Sequence, residues 1–273
     1  QRGKAVRRSG LADPRAGGGY RDLRPGEGCD AVHGEVAKDR CYGALALRRC
    51  IVGSLGRMAV LREIGMTTNG LALAANAGKL KVAGLSRINF SLDTLDQEVL
   101  SHMSGGKARL QDILDGIAAA EQAGFRRIKI NTVVQRGVND HTVMDLLERF
   151  RGTPHRVRLI EYMDVGNCNH WNVSEVVPSA EWVERIGQRW PLRPVPPKNA
   201  AETARRFEYV DGQGEIGFIS SISEPFCGGC TRARVTADGM FYTCLFSNHG
   251  TNLMPMIRHG EDPGELRQRI LSV

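Results

Sequence analysis

The sequence predicts an α/β protein that is built on parallel strands. Stretches typical of strands and of helices alternate four times between residues 63 and 187, with short connections. That alternation is the pattern of a parallel sheet or barrel. Residues 88–93 also alternate strictly between apolar and polar side chains, as a half-buried strand does. After about residue 195 the pattern changes to hairpins, so we expect a smaller antiparallel extension behind the α/β part.

Each element of the first half follows from its local pattern. The turn dipeptide Asn69-Gly70 ends the first strand, and residues 71–83 behind it have helical composition. An amphipathic helix over residues 110–123 ends at Gly124. The predicted strands are 63–68, 87–93, 128–134 and 157–163, and the predicted helices are 71–83, 110–123, 141–151 and 180–187.

Two hairpins and a helix are predicted for the second half. Residues 206–211 and 215–220 flank the turn at 212–214, and a second hairpin turns at Asp238-Gly239. A last helix covers residues 263–271. We see no internal repeat, and no low-complexity stretch beyond the glycine-rich start.

Composition limits the class of protein. The chain has 273 residues, of which 41% are hydrophobic and 25% charged, which is typical of a globular protein. No apolar run approaches the roughly 20 residues that span a bilayer, and no apolar segment near the start resembles a secretory signal. We therefore expect no membrane partner, and a location in the cytoplasm or, in a eukaryote, in an organelle matrix.

The first fifty residues differ from the rest. They contain 9 Gly and 9 Arg but no Ile, Phe or Trp, and they carry most of the net charge of +7. Such a segment buries too little apolar surface to offset the entropy of ordering it. We interpret residues 1–50 as an out-of-frame or otherwise corrupted translation. Because the remainder is nearly balanced in charge, nucleic acid is not the partner we expect.

The cysteine spacing indicates a metal site. Cys227, Cys230 and Cys244 form a C-x2-C-x13-C pattern, in which two glycines allow a tight turn and the hairpin at 238–239 returns the third cysteine. Three thiolates suit a [4Fe–4S] cluster with one open iron. Zinc with His249 as the fourth ligand fits the same spacing. A redox pair or a metal-free thiol cluster agrees less well, because the residues after Cys230 have an extended pattern where a redox motif would begin a helix.

Cationic side chains accompany the cysteines and the strands. Arg232 and Arg234 are two residues apart on an extended segment and therefore share a face. Lys129 and Arg158 lie in predicted strands, where a buried cation needs an anion. Four such charges are comparable with those of a nucleoside triphosphate. Taken singly, each could equally be a surface charge or a capping residue.

Five stretches together resemble one known family. They are IGMTTNG at 64–70, INFSLDTL at 88–95, IKIN at 128–131, IEYMDVG at 160–166 and FCGGCTRAR at 226–234. The resemblance is to the GTP 3′,8-cyclases of molybdenum cofactor biosynthesis, which are radical S-adenosylmethionine enzymes. It extends over residues 51–272 and favours iron–sulfur over zinc.

The resemblance implies a fold and an activity. The fold would be a partial, TIM-like (β/α)6 barrel over residues 51–195, with a C-terminal extension over residues 196–273 that holds a second [4Fe–4S] cluster. The family's N-terminal cluster cleaves S-adenosylmethionine, and the resulting radical starts the conversion of GTP to (8S)-3′,8-cyclo-7,8-dihydroguanosine 5′-triphosphate. The next enzyme in that pathway, the cyclic pyranopterin monophosphate synthase, would be the pathway partner, and a homodimer is an open alternative.

The resemblance also implies site residues by matching position. The cluster ligands would be Cys227, Cys230 and Cys244. S-adenosylmethionine would contact Ser91 and Met163. The implied GTP contacts are Thr67, Lys129, Arg158, Arg232, Ala233 and Arg234. No catalytic residue is assigned.

The chain departs from the family pattern at both ends. Cys29, Cys41 and Cys50 do not have the C-x3-C-x2-C spacing of the first cluster, and the sequence stops before the family's Gly-Gly tail. We therefore expect a truncated extension and a chain that lacks the radical-generating cluster. The alternatives are an inactive remnant that binds a cluster and GTP, and a zinc-bearing nucleic-acid-binding protein.

Overall fold

A computed structural model describes residues 44–164, 171–199 and 202–273. Its centre is a seven-stranded sheet with the order β1-β2-β3-β4-β7-β6-β5. The strands from β1 to β4 and then β7 are parallel to their neighbours, and β6 and β5 are antiparallel. They are β1 (Gly65–Thr68), β2 (Arg87–Ser91), β3 (Lys129–Val134), β4 (Arg156–Glu161), β5 (Leu192–Val195), β6 (Arg205–Tyr209) and β7 (Glu215–Ile219).

Helices connect the parallel strands, and a small second sheet follows them. The helices are α1 (Ala44–Gly56), α2 (Ala77–Val82), α3 (Gln97–Ser104), α4 (Leu110–Gln122), α5 (Val143–Phe150), α6 (Ser179–Arg189), α7 (Met254–His259) and α8 (Pro263–Leu271). The second sheet has the order β10-β9-β8, with β8 (Arg234–Val235), β9 (Met240–Tyr242) and β10 (Thr251–Asn252). Single 3-10 turns occur at Asp140–Thr142, Val173–Glu175 and Cys227–Gly229.

The two faces of the main sheet have different environments. Along β3 and β4, buried and half-exposed residues alternate without exception. Phe90, Ile130, Leu159 and Ile216 are almost completely buried on one face, and they form one core with apolar residues of α4, α5 and α6. Burying each such side chain stabilises the fold by roughly 1.5–3 kcal/mol. The other face carries polar side chains, and it is there that the candidate site lies.

The expected α/β class with parallel strands is confirmed. Strands were predicted at each of the positions of β1 to β4, and helices at those of α4, α5, α6 and α8. Residues 71–76, predicted as helix, form turns, and α2 begins only at Ala77. We did not predict α3, although Asp96 accepts hydrogen bonds from the backbone N–H groups of Glu98 and Val99, as an N-cap does.

The first predicted hairpin is present and belongs to the main sheet. β6 and β7 pair antiparallel, and β7 pairs parallel with β4 through Val157 and Ile216. The second hairpin turns through Gly239, which has the positive φ that its turn requires. Within the described ranges, no helix is long and apolar enough to cross a membrane.

One close approach fixes α4 against the end of β1. A Cβ atom at Gly116 would lie 2.6 Å from the carbonyl oxygen of Gly70, so only glycine allows this helix to lie so close. Gly187, in the interior of α6, has no atom within 4 Å of its hypothetical Cβ. The two helical glycines thus differ in what surrounds them.

We expect Gly116→Ala to lower the free energy of unfolding by about 1–3 kcal/mol, because the added methyl group clashes with backbone. The matched control Gly187→Ala should be neutral or stabilising by up to about 1 kcal/mol through its higher helix propensity. Denaturant unfolding followed by circular dichroism measures both. Equal stabilities of the two variants would contradict the close approach.

Candidate functional site

The candidate site lies on the polar face of the main sheet. Parallel register places Thr67 opposite Asn89, and Asn89 opposite Lys129. One step along the strands, Ser91 is opposite Asn131, and Asn131 is opposite Arg158. Because side chains two residues apart share a face, these two rows lie on the same side of the sheet.

Hydrogen bonds within these rows orient the side chains. The Asn89 amide donates to the Thr67 hydroxyl at 3.2 Å, and Arg158 Nε donates to Asn131 Oδ1 at 2.8 Å. Gly217 lies beside Arg158 on β7, where a Cβ atom would be only 3.2 Å from Arg158 Cγ. The glycine therefore leaves the space in which the arginine side chain lies across the sheet.

Lys129 and Arg158 are cations for which the described part of the chain offers no carboxylate partner. Their neighbours are paired, since Arg87 lies 3.0 Å from Glu63 and Arg156 forms an ion pair with Glu215. Within the described residues, neither Lys129 nor Arg158 has a carboxylate at ion-pair distance. A pair of half-buried, unneutralised cations is suited to bind an anion.

The pKa values of both groups reflect this environment. Burial lowers the pKa of Arg158 to about 10, and the charges of Arg156 and Arg87 add to the effect. Burial also lowers the pKa of Lys129, with further repulsion from Arg158, Arg87 and Arg156. A bound polyanion would relieve that repulsion.

The cysteine turn follows β7. The 3-10 turn Cys227–Gly229 is closed by the Cys230 N–H, which donates to the Cys227 carbonyl at 3.1 Å. Arg232 Nε donates to Cys230 Sγ at 3.3 Å, while its guanidinium lies 4.8 Å from the centre of the Phe226 ring. The backbone and side-chain hydrogen bonds from Arg232 lower the pKa of the Cys230 thiol, which favours the thiolate that metals bind.

The third cysteine does not complete a ligating cluster in this structure. Cys244 lies two residues beyond β9, whose Tyr242 is paired with Arg234. All three cysteines are free and exposed. Among the residues that the structure describes, no three His, Cys, Asp or Glu side chains lie close enough to hold a metal ion, so His249 does not complete a zinc site either. The donor chemistry of the three thiols nevertheless fits an iron–sulfur cluster.

Glu202 lies close to both the cysteine turn and Lys129 of the polar face. It lines a cavity of about 20 Å³ together with Phe226, Cys230 and Arg232. Its charge also acts on Lys129, where it raises the pKa against the larger opposing effects. Glu202 is therefore near both Arg232 and Lys129, and it stays a prediction that these two cations contact one nucleotide. No local pattern in the sequence distinguishes Glu202 from other surface carboxylates.

The two residues expected to contact S-adenosylmethionine lie at strand ends. Ser91 is the exposed last residue of β2, and Met163 is half-buried two residues beyond β4. Ala233, expected at the nucleotide, is exposed between the two arginines. Asp93, also at a strand end, is a structural residue, because its carboxylate accepts a hydrogen bond from the Val133 N–H at 2.8 Å.

The N-terminal cysteines contribute little to the described site. Cys50 lies in α1 and is disulfide-bonded, so it is not a thiolate ligand in this structure. Cys29 and Cys41 lie outside the described residues.

Comparison with known proteins identifies the family. The model of the Radical SAM superfamily matches residues 16–150, and the model named Molybdenum Cofactor Synthesis C matches residues 155–273. A GTP 3′,8-cyclase from Xanthomonas campestris pv. campestris strain 8004 is 49% identical over 240 residues, covering 86% of this chain and 71% of the relative. The chain belongs to the GTP 3′,8-cyclase family. It therefore belongs with the radical S-adenosylmethionine lyases of molybdenum cofactor biosynthesis.

Other GTP 3′,8-cyclases support the same assignment. The protein from Xanthomonas axonopodis pv. citri strain 306 is 49% identical over 232 residues, covering 83% of this chain and 70% of the relative. The protein from Acidothermus cellulolyticus is 43% identical over 235 residues, covering 85% of this chain and 65% of the relative. The family resemblance expected from the five sequence stretches is thus confirmed.

We expect Arg158→Gln to raise the pKa of Lys129, because one of the charges that repel its ammonium group is removed. That pKa should stay below 10.5, since burial is the larger cause of the shift. Heteronuclear NMR of the lysine Cε–Hε signals follows the titration. Arg193→Gln, which removes an exposed β5 arginine paired with Glu208, is the control and should leave the pKa of Lys129 unchanged. An unchanged value in Arg158→Gln would contradict the proximity of the two cations.

Proposed function

We propose that this chain binds GTP across the polar face of the main sheet, beside the cysteine turn, as a member of the GTP 3′,8-cyclase family. One observation carries the proposal: Lys129 and Arg158 are adjacent cations without described carboxylate partners, and Glu202, whose charge acts on Lys129, lines a cavity with Arg232. The relatives' names give the substrate class, GTP.

Different residues of the chain would contact different parts of the nucleotide. Lys129 and Arg158 would neutralise the phosphates, and Asn131 would hold the Arg158 guanidinium in position through its 2.8 Å hydrogen bond. Arg232, Ala233 and Arg234 would contact the nucleotide from the other side, where Arg234 Nη1 is buried without a hydrogen-bond partner in the described structure. The Thr67 hydroxyl accepts from Asn89 and can still donate to the ligand.

Cys227, Cys230 and Cys244 would hold a [4Fe–4S] cluster. Such a cluster supplies, when bound, an open iron that can take a nitrogen or oxygen ligand from the purine. The chemistry of these residues supports the assignment, because all three are free thiols and Arg232 stabilises the thiolate of Cys230. Ser91 and Met163 would contact S-adenosylmethionine at the ends of β2 and β4.

We do not propose a radical step for this chain. Cys29, Cys41 and Cys50 do not have the C-x3-C-x2-C spacing of the family's first cluster. The proposal is therefore a GTP-binding and cluster-binding protein of the cyclase family that does not form 5′-deoxyadenosine. Several further statements remain proposals: the partial TIM-like barrel, the divisions at residues 50 and 195, the cytoplasmic location, the homodimer and the pathway partner.

We expect Lys129→Met to weaken GTP binding at least tenfold, which corresponds to about 1.4 kcal/mol, because the ammonium group would contact the phosphates. Isothermal titration calorimetry at constant ionic strength measures the dissociation constant. The control Lys79→Met removes an exposed lysine on α2 and should leave binding unchanged. Equal losses in both variants would mean that the interaction is unspecific attraction by charge.

Anaerobic reconstitution should yield about four irons and four sulfides per chain, the stoichiometry of one [4Fe–4S] cluster. Cys230→Ser should lose them because it removes a thiolate ligand, whereas Cys50→Ser should retain them. Iron, acid-labile sulfide and zinc are measured on the same sample.

Three other results would change the proposal. Zinc in place of iron, with steeply salt-dependent binding of nucleic acid, would favour the zinc alternative. About eight irons would mean that N-terminal cysteines ligate a second cluster. Formation of 5′-deoxyadenosine from S-adenosylmethionine under reducing conditions would make the chain an active radical enzyme.

A further inference from the structure

Glu161 is a buried acid that connects three parts of the molecule. It is the last residue of β4, and only 2% of its surface is exposed. Its two carboxylate oxygens accept five hydrogen bonds, all from residues outside its own strand. A buried carboxylate with this many donors organises the segments that supply them.

The first group of donors belongs to the start of α6. The Ser179 N–H and hydroxyl donate to Oε1 at 2.8 and 3.1 Å. The first N–H groups of a helix have no partner within the helix, and α6 has no side-chain cap at Pro178. Glu161 therefore caps this helix from the neighbouring strand.

The second group belongs to the segment that leads into the cysteine turn. The N–H groups of Ile222 and Ser223 both donate to Oε2 at 2.8 Å, and the Ser223 hydroxyl donates to Oε1 at 2.5 Å. These residues lie between the end of β7 and Cys227. The segment also carries the exposed ion pair of Glu224 with Arg205, but exposed pairs of this kind contribute little.

The donors require an ionised acceptor. Burial by itself raises the pKa of Glu161, but the hydrogen bonds from Ser223, Ser179 and Ile222 outweigh it and hold the pKa below its usual value. The group is thus a carboxylate at neutral pH and can accept from every donor around it. In Glu161→Gln, one oxygen becomes an NH₂ group that faces N–H donors.

We infer that Glu161 is a positioning residue: it anchors residues 222–223 to the carboxyl end of β4 and so sets where Cys227, Cys230 and Arg232 lie relative to Lys129. The anchoring follows from the hydrogen bonds alone. Its consequence for GTP rests on the proposed function. Glu161 itself does not need to touch the nucleotide or the cluster.

Amide hydrogen exchange of the full, unloaded chain tests the anchoring directly. In Glu161→Gln, the amides of Ile222 and Ser223 should exchange at least tenfold faster. Ser223→Ala, which removes one donor on the loop side, should give a smaller increase in the same peptide. Ser179→Ala, which removes a donor on the helix side, should affect the start of α6 and leave residues 222–223 unchanged. Glu208→Gln, in the exposed pair with Arg193, is the matched glutamate control.

GTP titration of the same variants tests the consequence. Glu161→Gln should weaken GTP binding about tenfold, and Ser223→Ala should weaken it less. The hydrogen exchange of the β3 amides should stay unchanged in both variants, because the main sheet is intact. If Glu161→Gln does not fold, the comparison of Ser223→Ala with Ser179→Ala decides, since both keep the carboxylate.

The outcomes distinguish the anchoring of residues 222–223 by Glu161 from its effect on GTP binding. Unchanged exchange at residues 222–223 in Glu161→Gln, or equal acceleration by Ser179→Ala and Ser223→Ala, would overturn the anchoring role. Faster exchange with unchanged GTP affinity would overturn the link to the site. If the unmodified chain binds no GTP, the proposed function fails, and faster exchange would still establish the anchor.

Discussion

The candidate site depends on the parallel register of β1 to β4. That register places Thr67, Asn89 and Lys129 in one row, and Ser91, Asn131 and Arg158 in the next. The buried side chains of the opposite face fix it, because a shift by one residue would move Ile130 to the solvent and Lys129 into the core. The apolar core thus determines where the charges of the site lie, although none of its residues faces the site.

A second constraint links this sheet to the cysteine turn. The turn lies outside the main sheet and has little buried apolar surface of its own. Its position relative to β4 depends on the hydrogen bonds from residues 222–223 to the Glu161 carboxylate, while the Arg232 contacts with Cys230 and Phe226 hold the turn itself together. Such contacts are directional, so they can place a turn accurately where packing does not.

Local signals allowed much of the fold to be predicted. Alternation predicted β2, and amphipathic spacing followed by Gly124 predicted α4. The local pattern does not predict α3, although Asp96 can cap it, and it wrongly predicts helix for residues 71–76, whose helical composition does not prevent turns. Closure of the strands into a barrel could not be decided from the pattern, because an open sheet and a barrel have the same alternation of strands and helices.

For the site, the sequence by itself determined the chemistry: three cysteines around a glycine turn, two arginines two residues apart, and polar residues at strand ends. It also indicated the family, because five short stretches of this chain together resemble the GTP 3′,8-cyclases. Only the tertiary structure decided that Lys129 and Arg158 lack a described carboxylate partner, that Glu202 lines a cavity with the cysteine turn, and that Glu161 joins β4 to residues 222–223. The physical reason is sequence separation: Glu161 lies 61 and 62 residues from its loop donors. No local pattern encodes contacts of that range, and they form only when the core brings the strands together.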